Sequence, residues 1–346
     1  MGRVKAAARN IIFGYIGNLT TQLLGFVLRT IFIRHLGQTL NGVNALYTGI
    51  LSVLSMAELG IGTALNYSLY KPVIHKDYEK IKSYMLLYKK AYRIIGFVVA
   101  GIGLVIVPFL PYLVKQPEGI TLRDLTLLYL IFLFNTVSSY FVAYKYSLVN
   151  AEQKNYIQTN IITVTKMITV TLQIIVILTT GNFYAYLLTA ATVELLQKIF
   201  VSRYLNNMYP YLKEKDIKPL TKEEVGEVVK KTKALVLHKV GDVARLQTDA
   251  MIISGFINVT LSGIVDNYNL VISSVSNFVN IIFNSVLSSF GNLIATESRQ
   301  KQYEIFKIYR FFACWIYGFS ATGFLLLLTP LVWLWLGPSN VLLYFN

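Results

Sequence analysis

The chain has 346 residues, of which 55% are hydrophobic and 14% charged, and its formal net charge is +15. A soluble domain carries about 25% charged residues, so this composition excludes a soluble globular fold and intrinsic disorder. The single cysteine excludes a disulfide within the chain. With only three histidines beside it, the usual ligands of zinc and haem are scarce, so we expect no cofactor and no metal.

Nine apolar segments are long enough to cross a bilayer, which takes about 20 residues. In chain order they are Asn10–Ile33, Gly42–Tyr70, Ala91–Val114, Asp124–Tyr144, Tyr156–Leu178, Tyr184–Leu205, Ala234–Ile257, Ile264–Ser289 and Ile308–Leu336. The sequence therefore predicts an all-α integral membrane protein with about nine transmembrane helices.

Basic residues are distributed unevenly between the loops of this topology. With the N-terminus in the cytoplasm, the cytoplasmic segments hold 24 Lys and Arg residues and the external loops hold three. Cytoplasmic loops carry an excess of Lys and Arg, so we expect this orientation, and we attribute the net charge to it and not to a nucleic-acid partner. The Lys-rich segments 71–93 and 213–233 should be solvated and face lipid headgroups. Thr221 and Glu224 predict a capping box that opens a helix.

Two parts of the sequence resemble each other at an offset of about 221 residues. Residues 40–55 read LNGVNALYTGILSVLS and residues 261–276 read LSGIVDNYNLVISSVS, which pairs Tyr47 with Tyr268. Six spans separate the two copies, and an even number predicts a parallel repeat of six-helix lobes. We expect a complete N-terminal lobe at 1–205, a basic cytoplasmic linker at 206–233 and an incomplete C-terminal lobe of three helices at 234–346. On this interpretation the chain is truncated at its C-terminus.

Polar residues inside the spans are the candidate functional residues, because a charge in hydrocarbon is costly and usually faces a cavity, a partner or a substrate. One face of the seventh span carries His238, Asp242, Arg245 and Asp249, and the matching face of the first carries Asn18, Gln22, Gly25 and Arg29. Pairing of Arg245 with either aspartate within the helix is the structural alternative. For Arg29 the alternative is snorkelling of its long side chain to the interface.

Further charges lie in other spans. Glu58 lies in the middle of the second span, with Ser55 and Gly62 on its face. Lys166 lies near the middle of the fifth span, where an ammonium group suits an anionic substrate. Glu194 and Lys198 have the i, i+4 spacing of a local ion pair.

Motifs of ATP hydrolysis and of common enzyme classes do not occur in the sequence. It contains no Walker A motif, no GxSxG and no HExxH. The sequence therefore favours a transporter over an ATP-driven pump or an enzyme.

The stretch Gln247–Ser298, which begins QTDAMIISGFINVTLSGIVDNYN and ends SSFGNLIATES, resembles the Wzx-type flippases of bacterial capsule and other surface polysaccharides. They form the polysaccharide transporter family of the multidrug/oligosaccharidyl-lipid/polysaccharide exporter (MOP) superfamily. The N-terminal stretch RHLGQTLNGVNALYTGILSVLSMAELGIGTAL is similar to the first two helices of that family. The resemblance implies two lobes around a central cavity, alternating access and a place in the bacterial cell membrane.

The resemblance also implies a substrate, which would be an undecaprenyl-diphosphate-linked oligosaccharide that is moved from the inner to the outer leaflet. It further implies a coupling H⁺ or Na⁺ and contact with polysaccharide-assembly enzymes. On that basis the substrate-binding candidates are Arg29, Lys166, Arg245, Asn18 and Gln22, and the coupling-ion candidates are Glu58, Asp242 and Asp249.

Two other functions remain open at this point. A drug/cation antiporter of the same superfamily would have an acidic cavity, whereas the basic residues in the spans favour an anionic substrate. A membrane glycosyltransferase or polymerase would need a large outer loop, but the predicted outer loops 179–183 and 258–263 are short.

Overall fold

A computed structural model describes residues 2–114, 120–214, 217–296 and 298–342. Within these ranges, side chains are described except at 2–11, 56–57, 59–60, 63–65, 213, 231, 234–240, 242–247, 281–282 and 284–296. Ten α-helices and a few short 3-10 or π turns form the described backbone, in which no strand occurs.

The helices follow one another with short connections. They are α1 Gly2–Leu54, α2 Met56–His75, α3 Tyr78–Ile106, α4 Leu110–Leu113, α5 Leu122–Ala151, α6 Asn155–Thr180, α7 Phe183–Met208, α8 Lys222–Ile252, α9 Val259–Thr296 and α10 Arg299–Leu336.

Six helical segments of the described chain are long enough and apolar enough to cross a membrane. They are Ile12–Leu54, Tyr78–Leu113, Leu122–Ala151, Asn155–Thr180, Phe183–Met208 and Arg299–Leu336. The chain is a multi-pass membrane protein with an all-helical fold, as the sequence predicts. The count of nine spans stays a prediction.

The first two predicted spans are divided differently in the structure. The helix α1 continues through the expected boundary and is interrupted at Gly37, whose φ of 86° and ψ of 170° are non-helical. Glycine has no Cβ and adopts a positive φ at little cost, so the chain changes direction there. The predicted second span is split in turn, because Ser55 separates α1 from α2.

Helices also extend well beyond the apolar segments from which they were predicted. The segment 71–93 is helical apart from a short corner between His75 and Tyr78, and α6 begins at Asn155, four residues after α5 ends. Hydropathy detects only the part of a helix that lies in hydrocarbon. Lys and Glu are good helix formers, so the helices continue into the polar regions.

The chain separates into two compact units, Met1–Ser262 and Gly263–Asn346. In the first unit α6 packs on α1 and α7, α5 packs on α3 and α7, and α8 packs on α1 and α2. The second unit contains most of α9 and all of α10, with the Tyr268 hydroxyl 3.4 Å from Thr329 Oγ1 and 3.1 Å from the Leu342 nitrogen. The predicted lobe boundaries at 205 and 234 stay a prediction.

Two positions related by the predicted repeat offset touch each other inside the first unit. Thr39 Oγ1 and Thr260 Oγ1 lie 3.0 Å apart, and the two residues are 221 positions apart in the chain. The break at Gly37 has its counterpart 221 positions later at Asn258, which is extended at φ −165° and ψ 158°. The repeat of six-helix lobes stays a prediction.

The close approach of α1 and α6 at Gly17 gives a first prediction. A Cβ at this position would lie 2.6 Å from Thr163 Oγ1 and 2.8 Å from Thr159 Cγ2, which is too close. We expect Gly17→Ala to lower the free energy of unfolding by about 1–3 kcal/mol, the usual cost of overpacking. Thermal unfolding of the purified protein in detergent measures it.

Gly14→Ala is the matched control, three residues earlier on the same helix. A Cβ there meets nothing within 4 Å, and alanine is the better helix former by about 1 kcal/mol. Equal stability of the two variants would mean that α1 and α6 are not in close contact at Gly17.

Candidate transport site

A carboxyl group and two tyrosine hydroxyls meet in the first unit, in a group that we call the Glu58 pocket (Ser55, Glu58, Tyr92 and Tyr140). Glu58 is half-buried, and the hydroxyls of Tyr92 and Tyr140 lie within hydrogen-bonding reach of its carboxyl group. Tyr92 comes from α3 and Tyr140 from α5, so three helices build the pocket. Ser55 and Gly62 share the face of Glu58, as the sequence predicts, and a Cβ on Gly62 would lie 2.8 Å from the Tyr92 hydroxyl.

The hydrogen bonds of the Glu58 pocket have a defined direction. Ser55 Oγ donates to the Leu51 carbonyl oxygen at 2.8 Å. Because the single proton of Ser55 makes this bond, Ser55 Oγ acts as the acceptor toward Tyr140. The Tyr140 hydroxyl donates a hydrogen bond to it at 2.8 Å. The Tyr140 oxygen then has lone pairs but no proton to offer Glu58. Tyr92 is the other hydroxyl near the carboxyl group of Glu58, and it can donate to an ionised Glu58.

A second polar group, the Lys198 cluster (Asn135, Ser138, Glu194 and Lys198), joins α5 to α7. Lys198 Nζ donates to Asn135 O at 2.9 Å, to Asn135 Oδ1 at 2.7 Å and to Ser138 Oγ at 2.8 Å. Asn135 Nδ2 in turn donates to Glu194 Oε2 at 2.7 Å. The predicted pair of Glu194 and Lys198 exists, but at 3.9 Å it is the longest of these contacts. Sequence reasoning missed Asn135 and Ser138, although their i, i+3 spacing places them on one face of α5.

Lys166 differs from Lys198 in its surroundings. It is half-buried on α6 and has no hydrogen bond to any group that the structure describes. Its electrostatic neighbours are Glu194, which attracts it, and Arg29, which repels it. Arg29 donates from Nη1 to Asn41 Oδ1 at 2.5 Å, which joins the two parts of α1 across the break at Gly37.

The other predicted site residues are only partly described. Asn18 and Asp249 are exposed and Gln22 is half-buried. The side chains of His238, Asp242 and Arg245 lie outside the described residues, so the polar face predicted on the seventh span stays a prediction.

We call the end of the first unit where α2 meets α3 the linker end. Charged residues there pair with the segment that leads to α8. The predicted capping box is confirmed: Glu224 N donates to Thr221 Oγ1 and Thr221 N donates to Glu224 Oε2. Hydrogen bonds from the Thr221 backbone and from Lys80 hold the pKa of Glu224 below its usual value. The prediction of solvated Lys-rich segments is wrong for Lys82, which is 4% exposed and pairs with Glu79 and Glu214. Charge composition alone does not show that two acids reach it.

No protein-family model and no curated protein matches the sequence. Solved structures do resemble the described architecture. One is the MATE transporter VcmN of Vibrio cholerae, crystallised as a mutant, with a TM-score of 0.65 and 16% identity over 98% of this chain and 77% of that chain. The chain has the MATE transporter fold.

Two further structures have this MATE fold. One is an inward-facing multidrug resistance MATE family transporter of the MOP superfamily, with a TM-score of 0.61 and 13% identity over 94% of this chain and 76% of that chain. The other is a MATE in complex with MaD3S, with a TM-score of 0.57 and 14% identity over 97% of this chain and 76% of that chain. The description of the inward-facing structure names the MOP superfamily, which the sequence resemblance also names.

Proposed function

We propose that the chain is a secondary transporter, a drug/cation antiporter in which a proton bound at Glu58 is exchanged for the substrate. The MATE fold supports this function over the flippase that the sequence resemblance implies, because one of the similar structures is described as a multidrug resistance transporter. The proposal places the chain in the bacterial cell membrane with its N-terminus in the cytoplasm, the orientation favoured by the excess of basic residues in the predicted cytoplasmic segments.

The observation that carries the proposal is the position of the Tyr92 and Tyr140 hydroxyls beside the carboxyl group of Glu58. A coupling group must be stable both with and without its proton, so that each state can form in turn. In this proposal a protonated Glu58 donates to the Tyr140 oxygen, whose own hydroxyl donates to Ser55 Oγ. An ionised Glu58 can accept a hydrogen bond from Tyr92. The pocket therefore suits both forms of the carboxyl group.

Glu58→Gln tests the coupling. Glutamine keeps the shape and one acceptor oxygen but cannot bind and release a proton. We expect proteoliposomes with the wild-type protein to accumulate the cationic dye ethidium when a pH gradient is imposed. We expect the variant to do so at least about 10-fold more slowly, the difference that a free-energy change of 1.4 kcal/mol produces.

Glu223→Gln, which alters an exposed acid of the first turn of α8, should transport like the wild type. Undiminished transport by Glu58→Gln would remove Glu58 from the coupling site. Transport driven by a Na⁺ gradient but not by a pH gradient would contradict the proposal that the coupling ion is a proton. No dye transport by the stable wild-type protein under either gradient would contradict the antiporter function.

A second function, transport of a lipid-linked oligosaccharide with an anionic diphosphate, is favoured by the balance of charge between α1, α6 and α7. Arg29, Lys166 and Lys198 carry positive charge there against one acid, Glu194. Positive charge repels a cationic drug and attracts a phosphate. This candidate agrees with the sequence resemblance, and it would bring the partners that the resemblance implies, the lipid-linked oligosaccharide and the polysaccharide-assembly enzymes.

A further inference from the structure

The chain between α7 and α8 is attached to the linker end at several successive points. We call its described residues, 209–214 and 217–224, the strap. Its contacts, in order, are Tyr209 Oη to Glu152 Oε2 at 2.8 Å, the Tyr211 ring to the Tyr78 ring at 4.9 Å, Glu214 Oε2 to Lys82 Nζ at 2.7 Å, Lys218 O to Ser83 Oγ at 2.5 Å, and Glu224 Oε1 to Lys80 Nζ at 3.1 Å. Every partner belongs to α3, or to the turn between α5 and α6.

The contact with Lys82 has the properties of a permanent attachment. Lys82 is 4% exposed, whereas its two partners, Glu79 at 2.5 Å and Glu214 at 2.7 Å, are 54% and 59% exposed. The strap does not depend on this pair alone, because Tyr209 and Tyr211 also hold it, on Glu152 and Tyr78. The neighbouring Ser83 also binds the strap through the Lys218 carbonyl group.

The contact with Lys80 has the opposite properties. The Lys80 side chain is 55% exposed and that of Glu224 is 26% exposed, and exposed ion pairs contribute little net stability. Glu224 belongs to the first turn of α8, so this pair holds the helix itself against α3. A cavity of about 310 Å³ lies beside the pair, and its walls include Tyr67, His75 and Glu227.

A stretch without helix or strand leads from these contacts to α8. Glu224 lies six positions after Lys218, and residues 217–221 form no helix or strand. The inference requires that this stretch lets the start of α8 shift while Lys82 and Ser83 still hold the strap. The capping box stays intact in such a shift because both of its residues move with α8.

We infer that Lys80 and Glu224 form a reversible latch, which closes the cavity at the linker end and opens when α8 moves during transport, whereas Lys82 and Glu214 form a permanent anchor. The inference rests on the proposed transport function, and on the proposed orientation the latch faces the cytoplasm. The latch is a single exposed ion pair, whereas the anchor is supported by the contacts of Ser83, Tyr209 and Tyr211 along the same strap. The strap thus limits the movement of α8 without preventing it.

Crosslinking tests the latch against the anchor in the full chain. Cys314, the one cysteine of the sequence, is first replaced by serine. Lys80→Cys with Glu224→Cys, and Lys82→Cys with Glu214→Cys, are then each joined by a short bismaleimide in proteoliposomes. We expect the crosslink at the latch to lower the transport rate at least about 10-fold and the crosslink at the anchor to change it less than twofold. Full transport with a crosslinked latch, or equal inhibition by the two crosslinks, would overturn the inference.

A labelling measurement separates failure of the latch from failure of the proposed function, because it needs no substrate. Tyr84→Cys places a thiol in the wall of the cavity. We expect Lys80→Met to increase the rate at which a maleimide modifies this thiol at least threefold, and Lys76→Met, which removes an exposed lysine at the same end, to leave it unchanged. Equal labelling rates in the two backgrounds would show that the Lys80 pair does not close the cavity.

Discussion

Lys198→Met is expected to lower the free energy of unfolding of the purified protein by about 1–3 kcal/mol, the cost of leaving hydrogen-bond partners of a buried group unsatisfied. Lys198 is 9% exposed and makes three hydrogen bonds to Asn135 and Ser138. Methionine fills a similar volume but donates none of them. Asn135 loses an ammonium partner and Glu194 loses its nearby positive charge. Thermal or denaturant unfolding in detergent measures the loss.

Lys198→Arg should recover part of the stability because it keeps the charge, although a planar guanidinium does not fit three converging acceptors as an ammonium does. Lys90→Met alters an exposed lysine and should leave the stability unchanged. If Lys198→Met kept full stability and lost transport, Lys198 would be a ligand of the substrate and not a structural group.

The architecture was largely predictable because hydropathy and charge act locally along the chain. Runs of apolar residues predict the helices Phe183–Met208 and Asn155–Thr180 with small errors at their ends. Thr221 and Glu224 predict their capping box because the motif closes within four residues. The break at Gly37 was not predicted, since a lone glycine in an apolar run has no distinctive local pattern.

The candidate site was predictable only where one helix supplies the residues. The position of Ser55 and Gly62 on the face of Glu58 follows from helical periodicity. Tyr92 and Tyr140 reach that face from other helices, and which way each helix turns toward its neighbour is decided by packing. Tyrosine rings are often buried in helical proteins for packing alone. The sequence therefore does not distinguish Tyr92 and Tyr140 from tyrosines without a role in the site.

The ion pairs at the linker end also could not be predicted from the sequence, because their partners lie far apart in the chain. Lys80 and Glu224 lie 144 positions apart, and the sequence offers many acids and bases at similar distances. In the sequence Lys82 is one lysine among several, such as Lys80 and Lys89. Its side chain is nevertheless 4% exposed, whereas that of Lys80 is 55% exposed. Long-range topology brings Glu214 to Lys82, and a charge count cannot anticipate it.

The two lysines in the membrane-spanning helices α6 and α7 give the sharpest test of substrate charge, because one is bound by the protein and the other is not. Lys166 makes no hydrogen bond to the described groups, is attracted by Glu194 and is repelled by Arg29. Its removal therefore breaks no described hydrogen bond, and relief of the repulsion by Arg29 offsets part of the lost attraction to Glu194. We expect Lys166→Met to change the free energy of unfolding by less than about 1 kcal/mol, since only substitutions that break such contacts cost more.

The effect of Lys166→Met on transport depends on which substrate the protein carries. If it carries an anionic lipid, an ammonium group in the membrane is a main attraction for the phosphate, and its loss should slow the transfer of a fluorescent short-chain polyprenyl diphosphate at least about 10-fold. Fluorescence quenching by an impermeant reductant in proteoliposomes measures that transfer. Ethidium transport should be unchanged or faster, because a repulsive charge is gone. A stable Lys166→Met variant that transfers the diphosphate lipid at the wild-type rate would contradict the flippase function assigned to this lysine, and a large loss of stability would place Lys166 with Lys198 as a structural residue.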